Sequence, residues 1–412
     1  MNSFPMAPRP LGHAEHMFWL LNQNSPVHFG VCAQVEGQTT VEAWRAALDM
    51  VQQRHPNFSV KIEVDKDSSL YFHHVAEARI PLRIVERDDL RWEPEIEREI
   101  AIPFDAREAP LVRAVLLHQA HRAVFILTSH HSIADGKSLV FAIRDTLQAL
   151  SGKLLDPLPA IPPMDALLTP SSRQIGRPDQ DSAQEPTVKP SVYRKHDGSA
   201  PRVRALTLNA ALTSELRRRS RREETTIQCA LVAAAVEAAR KISSVLEGAT
   251  IRVSSPIDFR KTLGALDEVA PLGAGVGISM EPQAHATFWD AARFVKRVVD
   301  PARTPEALSN IMAEMGPFIS KRPSVTEIAA LWANRLGYEI NVSNLGEIPI
   351  ENPVDGLRLA GFWGPSILMG FEGEQGIGVA TANGSLNLLH TSYEPLPALL
   401  ESIEERLVIA CS

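Results

Sequence analysis

The stretch Arg122 to Gly136, RAVFILTSHHSIADG, sets two adjacent histidines three residues ahead of an Asp-Gly pair. A neutral imidazole titrates near physiological pH, so it can take a proton from a hydroxyl, amine or thiol. His131 and Asp135 are the candidate catalytic residues, with Asp135 orienting the ring or bracing the loop. Gly136 permits a backbone geometry that a Cβ would forbid. The apolar run Ala123 to Leu127 predicts a buried strand that delivers the histidines to a cleft. Strand side chains alternate between faces. His131 therefore shares a face with Phe125, Leu127 and Ser129, and His130 points the other way. That assigns chemistry to His131 and packing to His130. Lys137 to Leu150 reads as a helix, with Leu139, Val140, Ile143 and Leu147 on one face. Two blander readings exist. A histidine at a strand end is often structural. A metal site is disfavoured, because adjacent strand histidines diverge and closed zinc sites need further ligands at tighter spacing.

Composition narrows the class. The chain has 412 residues, 44% hydrophobic and 22% charged, which suits a globular protein of two domains or one large one. A net charge of −7 argues against a general nucleic-acid or anionic-membrane binder. Cys32, Cys229 and Cys411 are odd in number and far apart, so no disulfide framework or CxxC site is expected. The N-terminal residues have no apolar core, and the run Cys229 to Ala239 is too short to span a bilayer. A cytoplasmic monomer is the expectation.

The elements that position the motif follow in order. Residues 11–24 form an opening segment packed through Phe18, Trp19 and Leu20. Val27 to Glu36 reads as a strand. Thr39-x-x-Glu42 is a capping-box signature for a helix ending at His55-Pro56. Val60 to Val64 and Leu70 to His74 suit a hairpin, and Glu93 to Ile100 a short helix. Leu111 to Gln119 pairs with Arg122 to His131, which sets Arg113 opposite Leu127 or Thr128. Residues 156–202 are proline-rich and poor in large apolar side chains, so they read as a linker, partly extended and partly disordered. The boundaries are an N-terminal half, 1–155, the linker, and a C-terminal half, 203–412. In the second half, strands are expected at 204–208, 251–256, 272–280, 338–343, 367–372, 376–381 and 385–393. Helices are expected from 211, at 226–240, near 287–299, 305–315 and 324–335, and at 397–410. Asn383-Gly384 predicts a type I′ hairpin turn. The run Arg217 to Arg222 reads as a solvated helix face; its sharper reading is a landing patch for phosphate.

HHSIADG resembles the HHxxxDG signature of the CoA- and carrier-protein-dependent acyltransferases. These include chloramphenicol acetyltransferase, condensation domains and the phthiocerol dimycocerosyl transferase type, which is the closest resemblance. Supporting segments are LGHAE at 11–15, RHP at 54–56, Pro110-Leu111-Val112-Arg113, Pro256 to Arg260, the glycine-bearing strand at 272–280 and Ser343-Asn344-Leu345-Gly346. The DFGWG of the plant branch is absent, since Gly361-Phe362-Trp363-Gly364 is not that motif, and so is the PLW segment of wax-ester synthases.

The resemblance implies an α/β fold of two chloramphenicol-acetyltransferase-like sandwich halves with the active-site tunnel between them. It implies acyl transfer from a CoA or carrier-protein thioester to a hydroxyl or amine of a small-molecule or lipid acceptor, with His131 as general base. By the same resemblance, Arg113 forms an ion pair with Asp135. Arg260, Ser343 and Asn344 are candidate substrate-binding residues, with a structural ion pair and a turn cap as their plainer roles. No metal or prosthetic group is implied. The rival readings are a cyclase, lyase, hydrolase or amide-forming enzyme on the same scaffold, and a non-catalytic domain that docks carrier proteins.

Overall fold

In the computed structural model, residues 7–66, 69–87, 89–168, 190–351 and 356–412 are described. The chain opens with β1 (Arg9–Pro10), α1 (His13–Asn24), β2 (Phe29–Glu36) and α2 (Val41–Arg54). The hairpin β3 (Val60–Val64) and β4 (Leu70–His74) follows, then β5 (Leu82–Val85), α3 (Glu93–Ala101), β6 (Val112–Gln119), β7 (Arg122–Ser129) and α4 (Gly136–Leu150). The short α5 (Met164–Leu167) precedes β8 (Arg202–Leu208), α6 (Ala210–Arg222), α7 (Ile227–Ile242) and α8 (Ser244–Glu247). Next come β9 (Ile251–Asp258), α9 (Arg260–Leu263), β10 (Gly273–Met280), α10 (Phe288–Ala302), α11 (Pro305–Ser320) and α12 (Val325–Arg335). The chain closes with β11 (Ile340–Glu347), β12 (Arg358–Ser366), β13 (Gln375–Ala382), β14 (Ser385–Ser392) and α13 (Leu399–Cys411).

The result is an α/β protein with two main sheets. One has the order β12-β2-β7-β6-β5 and the other β10-β9-β11-β13-β14-β8. The first buries Phe125 and Leu127 of β7 against Trp44, Leu48, Leu139 and Ile143 of α2 and α4. The second buries Val253, Ile340, Val342 and Val379 against the alanine-rich α7 and against α10 and α13. A separate apolar cluster joins α1 to α11 and α12 through Met17, Leu21, Ile319 and Ile328. Helix starts follow side-chain capping: Thr226, Thr287, Thr304 and Ser324 each accept a backbone N–H of the first turn.

Several expectations shift. The cap of α2 is Thr40, which accepts from Ala43 N, while Thr39 instead receives the indole N–H of Trp44. No strand forms at 367–372. Instead β12, at 358–366, leaves the second half and pairs antiparallel with β2 of the first. Its passage over β13 needs Gly378, where a Cβ would lie 2.3 Å from the Pro365 carbonyl oxygen. Only glycine allows two backbones so close. The linker expected at 156–202 is anchored at a few points and largely exposed between them where it is described. Ile161, Met164 and Leu168 are buried in the second half's core, and Arg194 N donates to Gly370 O. Residues 169–189 of that expectation lie outside the described residues. The Asn383-Gly384 turn has positive φ at both residues, 51° and 76°, as type I′ requires.

Candidate active site

Arg113 pairs with Thr128 across β6 and β7, the expected register. The strand stops at Ser129, however, so both histidines lie past its end. Their fates diverge as expected, though by the fold of the loop and not by strand alternation. His130 is fully buried and its Nδ1 accepts the N–H of Ser132 at 3.1 Å, which leaves the proton on Nε2. Burial, and then the neighbouring His131, depress its pKa to about 3.

His131 is half-buried in the turn. Its Nδ1 donates to Ala134 O at 2.9 Å, so the lone pair resides on Nε2. Among the described residues Nε2 has no hydrogen-bond partner. Burial lowers the imidazole pKa, against the opposing charge of Asp135. A neutral ring with a free Nε2 is the state that a general base needs. The ring is held between two phenyl groups, stacked on Phe18 at 3.8 Å and tilted against Phe29 at 4.8 Å.

Asp135 does not hydrogen-bond to this ring. It caps α4, accepting from Ser138 N at 2.9 Å, and it takes a two-pronged contact from Arg260, NH1 to Oδ2 and NH2 to Oδ1, both at 2.8 Å. Leu272 N adds a bond at 3.0 Å. Burial alone would raise the carboxyl, but the Arg260 charge and these donors hold it below the usual carboxylate range. Arg260, 4% exposed, also reaches Asp258 and the carbonyl of Ala270. This ties the motif loop of the first half to β9 and β10 of the second.

The expected Arg113–Asp135 pair is therefore not formed. The Arg113 guanidinium turns to the other side of its strand. It contacts the Glu99 carboxylate at 2.5 Å, the carbonyls of Glu99 and Ile102, and the face of Phe104 at 4.0 Å. Gly136 also acts differently from expectation. It has no positive φ; a Cβ there would come within 2.7 Å of the Leu345 side chain, so the glycine lets the motif helix seat against β11. Lys137 strengthens that contact by donating to Leu345 O.

Ser343 remains half-buried on β11, and Asn344 spends its amide oxygen on its own turn, accepting from Gly346 N at 2.8 Å. The Asn344 amide nitrogen and the Ser343 hydroxyl are both left as potential donors among the described residues. The arginine run is mostly paired: Arg217 with Glu347, Arg218 with Glu215, and Arg219 with Glu223. That favours the solvated helix face. Among the described residues no group of three His, Cys, Asp or Glu side chains converges as ligands would. Sequence reasoning missed Phe18 and Phe29 as neighbours of His131, because both contacts are long-range and neither residue stands in a motif.

The buried histidines make acid stability predictable. His28, like His130, is depressed to about 3, chiefly by burial. An unfolded histidine binds a proton below about pH 6.5, whereas these native ones do not. Stability from them is thus complete above that pH and falls as pH drops towards 3, by up to about 1.4 kcal/mol per unit for each ring. Urea titrations at pH 7.5 and 5 should show the loss, and His130→Gln should flatten it. An unchanged slope in that variant would mean that His130 takes up its proton in the folded state.

A family model described as Condensation domain matches residues 14–162. A linear gramicidin synthase of Brevibacillus parabrevis is 34% identical over 146 residues, 32% of this chain and 2% of that protein. The chain spans only 2–16% of the length of the curated relatives it matches, tyrocidine synthase 3 of the same organism among them. Over the whole length the fold is similar to polyketide synthase associated protein 5 of Mycobacterium tuberculosis (TM-score 0.67, 17% identity, 100% of this chain and 99% of that one). It is similar also to the TRI3 trichothecene 15-O-acetyltransferase of Fusarium sporotrichioides (TM-score 0.73, 14% identity, 98% and 94%). At such identity these likenesses speak for the fold alone. The sequence is thus similar to a condensation domain over residues 14–162, which include the motif, and the fold over the whole length is the one that condensation domains and the acetyltransferase share.

Proposed function

We propose that this chain transfers an acyl group from a thioester, carried by CoA or by a phosphopantetheinyl carrier protein, to the hydroxyl or amine of a small-molecule or lipid acceptor. The observation that carries the reading is the state of His131: Nδ1 is committed to Ala134 O and Nε2 is free. Nε2 removes the acceptor proton as the acceptor oxygen or nitrogen attacks the thioester carbonyl. The tetrahedral oxyanion collapses, the C–S bond breaks, and the imidazolium returns its proton to the leaving sulfur. The hydroxyl of Ser343 and the amide N–H of Asn344 are the candidate oxyanion donors. Asp135 and Arg260 hold the loop and take no proton. Neither a metal nor an acyl-enzyme is needed for this sequence. A phosphinothricin tripeptide synthetase and a trichothecene 15-O-acetyltransferase are among the similar proteins, which supports both amide and ester products as candidates.

The test is incubation of acyl-CoA, and separately of an acyl-loaded carrier protein, with panels of alcohols and amines. Thiol release and product mass are read together. Acceptor-dependent thiol release that disappears in His131→Ala is the expected result. Release without acceptor would make the protein a thioester hydrolase, and carrier binding without release a docking module.

A further inference from the structure

The ring of Phe18 lies on that of His131 with centroids 3.8 Å apart and planes 5° from parallel. Phe18 comes from α1, remote in sequence from the motif, and the helix is fixed at several points. The Glu15 carboxylate accepts Gly12 N at 2.7 Å and pairs with Arg9 at 2.7 Å. The Glu15 carbonyl receives the hydroxyl of Ser132, one residue past His131, at 2.9 Å. His13 N donates to Asp165 at 3.1 Å, and the His13 ring sits against Gly316 of α11, where a Cβ would be 2.9 Å away. Behind Phe18 stands Trp332 of α12, 6.5 Å between centroids. The Phe18 ring therefore has little freedom to move, and the motif loop itself bonds to the helix that carries it.

From this geometry we infer that Phe18 is a positioning residue for His131, fixing the imidazole plane and stabilising the imidazolium formed when Nε2 takes the acceptor proton. Two constraints define a ring orientation. The Nδ1 bond to Ala134 O sets one direction, and the stack forbids rotation out of plane, so Nε2 points one way. An aromatic face also attracts a cation, and more strongly where water is excluded. The charged group bearing on the ring is Asp135, from its own loop. Phe18 and Phe29, from α1 and β2, are uncharged, and His130 beside it is neutral. The stack thus helps at the moment of proton transfer as well as before it.

The inference rests on the acyl-transfer reading, and its test separates the two. Phe18→Tyr, Trp, Leu and Met are compared in the full chain, with melting temperature as the control for folding. Tyr and Trp should keep kcat, while Leu and Met lose about 10-fold in kcat with KM unchanged. The acid limb of kcat/KM should move down by about half a unit or more in Phe18→Leu, because the cation has lost its partner. Full activity in Leu or Met, equal losses in all four, or an upward shift of the limb would overturn the inference. Should the wild-type chain transfer no acyl group, the acyl-transfer reading fails by itself. The stack is still read by NMR titration of the His131 ring, assigned by its absence in His131→Ala: a lower pKa in Phe18→Leu supports it, and an equal or higher one overturns it.

Discussion

His131→Ala should leave a folded protein whose acyl transfer falls by about 10²–10⁴-fold, the usual cost of losing a general base. The ring is half-buried and makes one hydrogen bond, to Ala134 O, so the stability cost is on the order of 1–2 kcal/mol. His131→Asn sharpens the result. Its side-chain amide can donate to Ala134 O in place of Nδ1, which restores the loop bond but supplies no base at Nε2. Both variants should therefore be equally inactive, with Asn the more stable. His130→Ala should behave in the opposite way. That ring is fully buried and accepts from Ser132 N, so its loss should lower stability first and activity only in step with folded protein. Measured kcat/KM beside urea unfolding decides the matter. Near wild-type turnover in His131→Asn would remove His131 from the chemistry, whatever the fate of His130.

The different surroundings of the two histidines were expected from the sequence, but the loop past β7, and not strand alternation, produces them. Alternation holds along β7 to Ser129 and then ends. What separates the rings beyond that point is a turn closed by Ser132 N on one and Ala134 O on the other. Local periodicity cannot see a turn of this kind. Local signals did place the hairpin, the alanine-rich α7 and the Asn383-Gly384 turn, because each rests on residues adjacent in the chain.

Non-local pairings were the harder part. β12 was missed because Gly361, Gly364 and Pro365 weaken its strand pattern, and its partner β2 lies more than 300 residues away. The partner of Asp135 was misassigned for a related reason. Register alone puts Arg113 near the motif, and the register is correct. But β6 offers two faces, and Glu99 on α3 waits on the side that Arg113 takes. Arg260, the actual partner, was noted in the sequence as a possible structural ion-pair residue, yet nothing local says which carboxylate it meets.

Arg260→Ala should destabilise the chain by about 3–5 kcal/mol, because it strips the buried Asp135 of its counter-ion, and Asp135→Ala by somewhat less, because Arg260 keeps the more exposed Asp258. For Asp135→Ala the lost cap of α4 adds about 1 kcal/mol. The double variant should cost clearly less than the sum, with a coupling of about 1–3 kcal/mol, as expected for groups in direct two-pronged contact. Arg113→Ala supplies the contrast. It strips Glu99 of one partner while Arg83 remains, so it is destabilising on its own account. Combined with Asp135→Ala, however, its effect should add within about 0.5 kcal/mol, since the two groups share no contact. Urea unfolding of the five variants gives every term of both cycles. Coupling of Asp135 to Arg113 and not to Arg260 would overturn the assignment. Strong coupling to Arg260 would make this ion pair, beside the β12–β2 pairing, one of the contacts that join the motif loop to the second sheet.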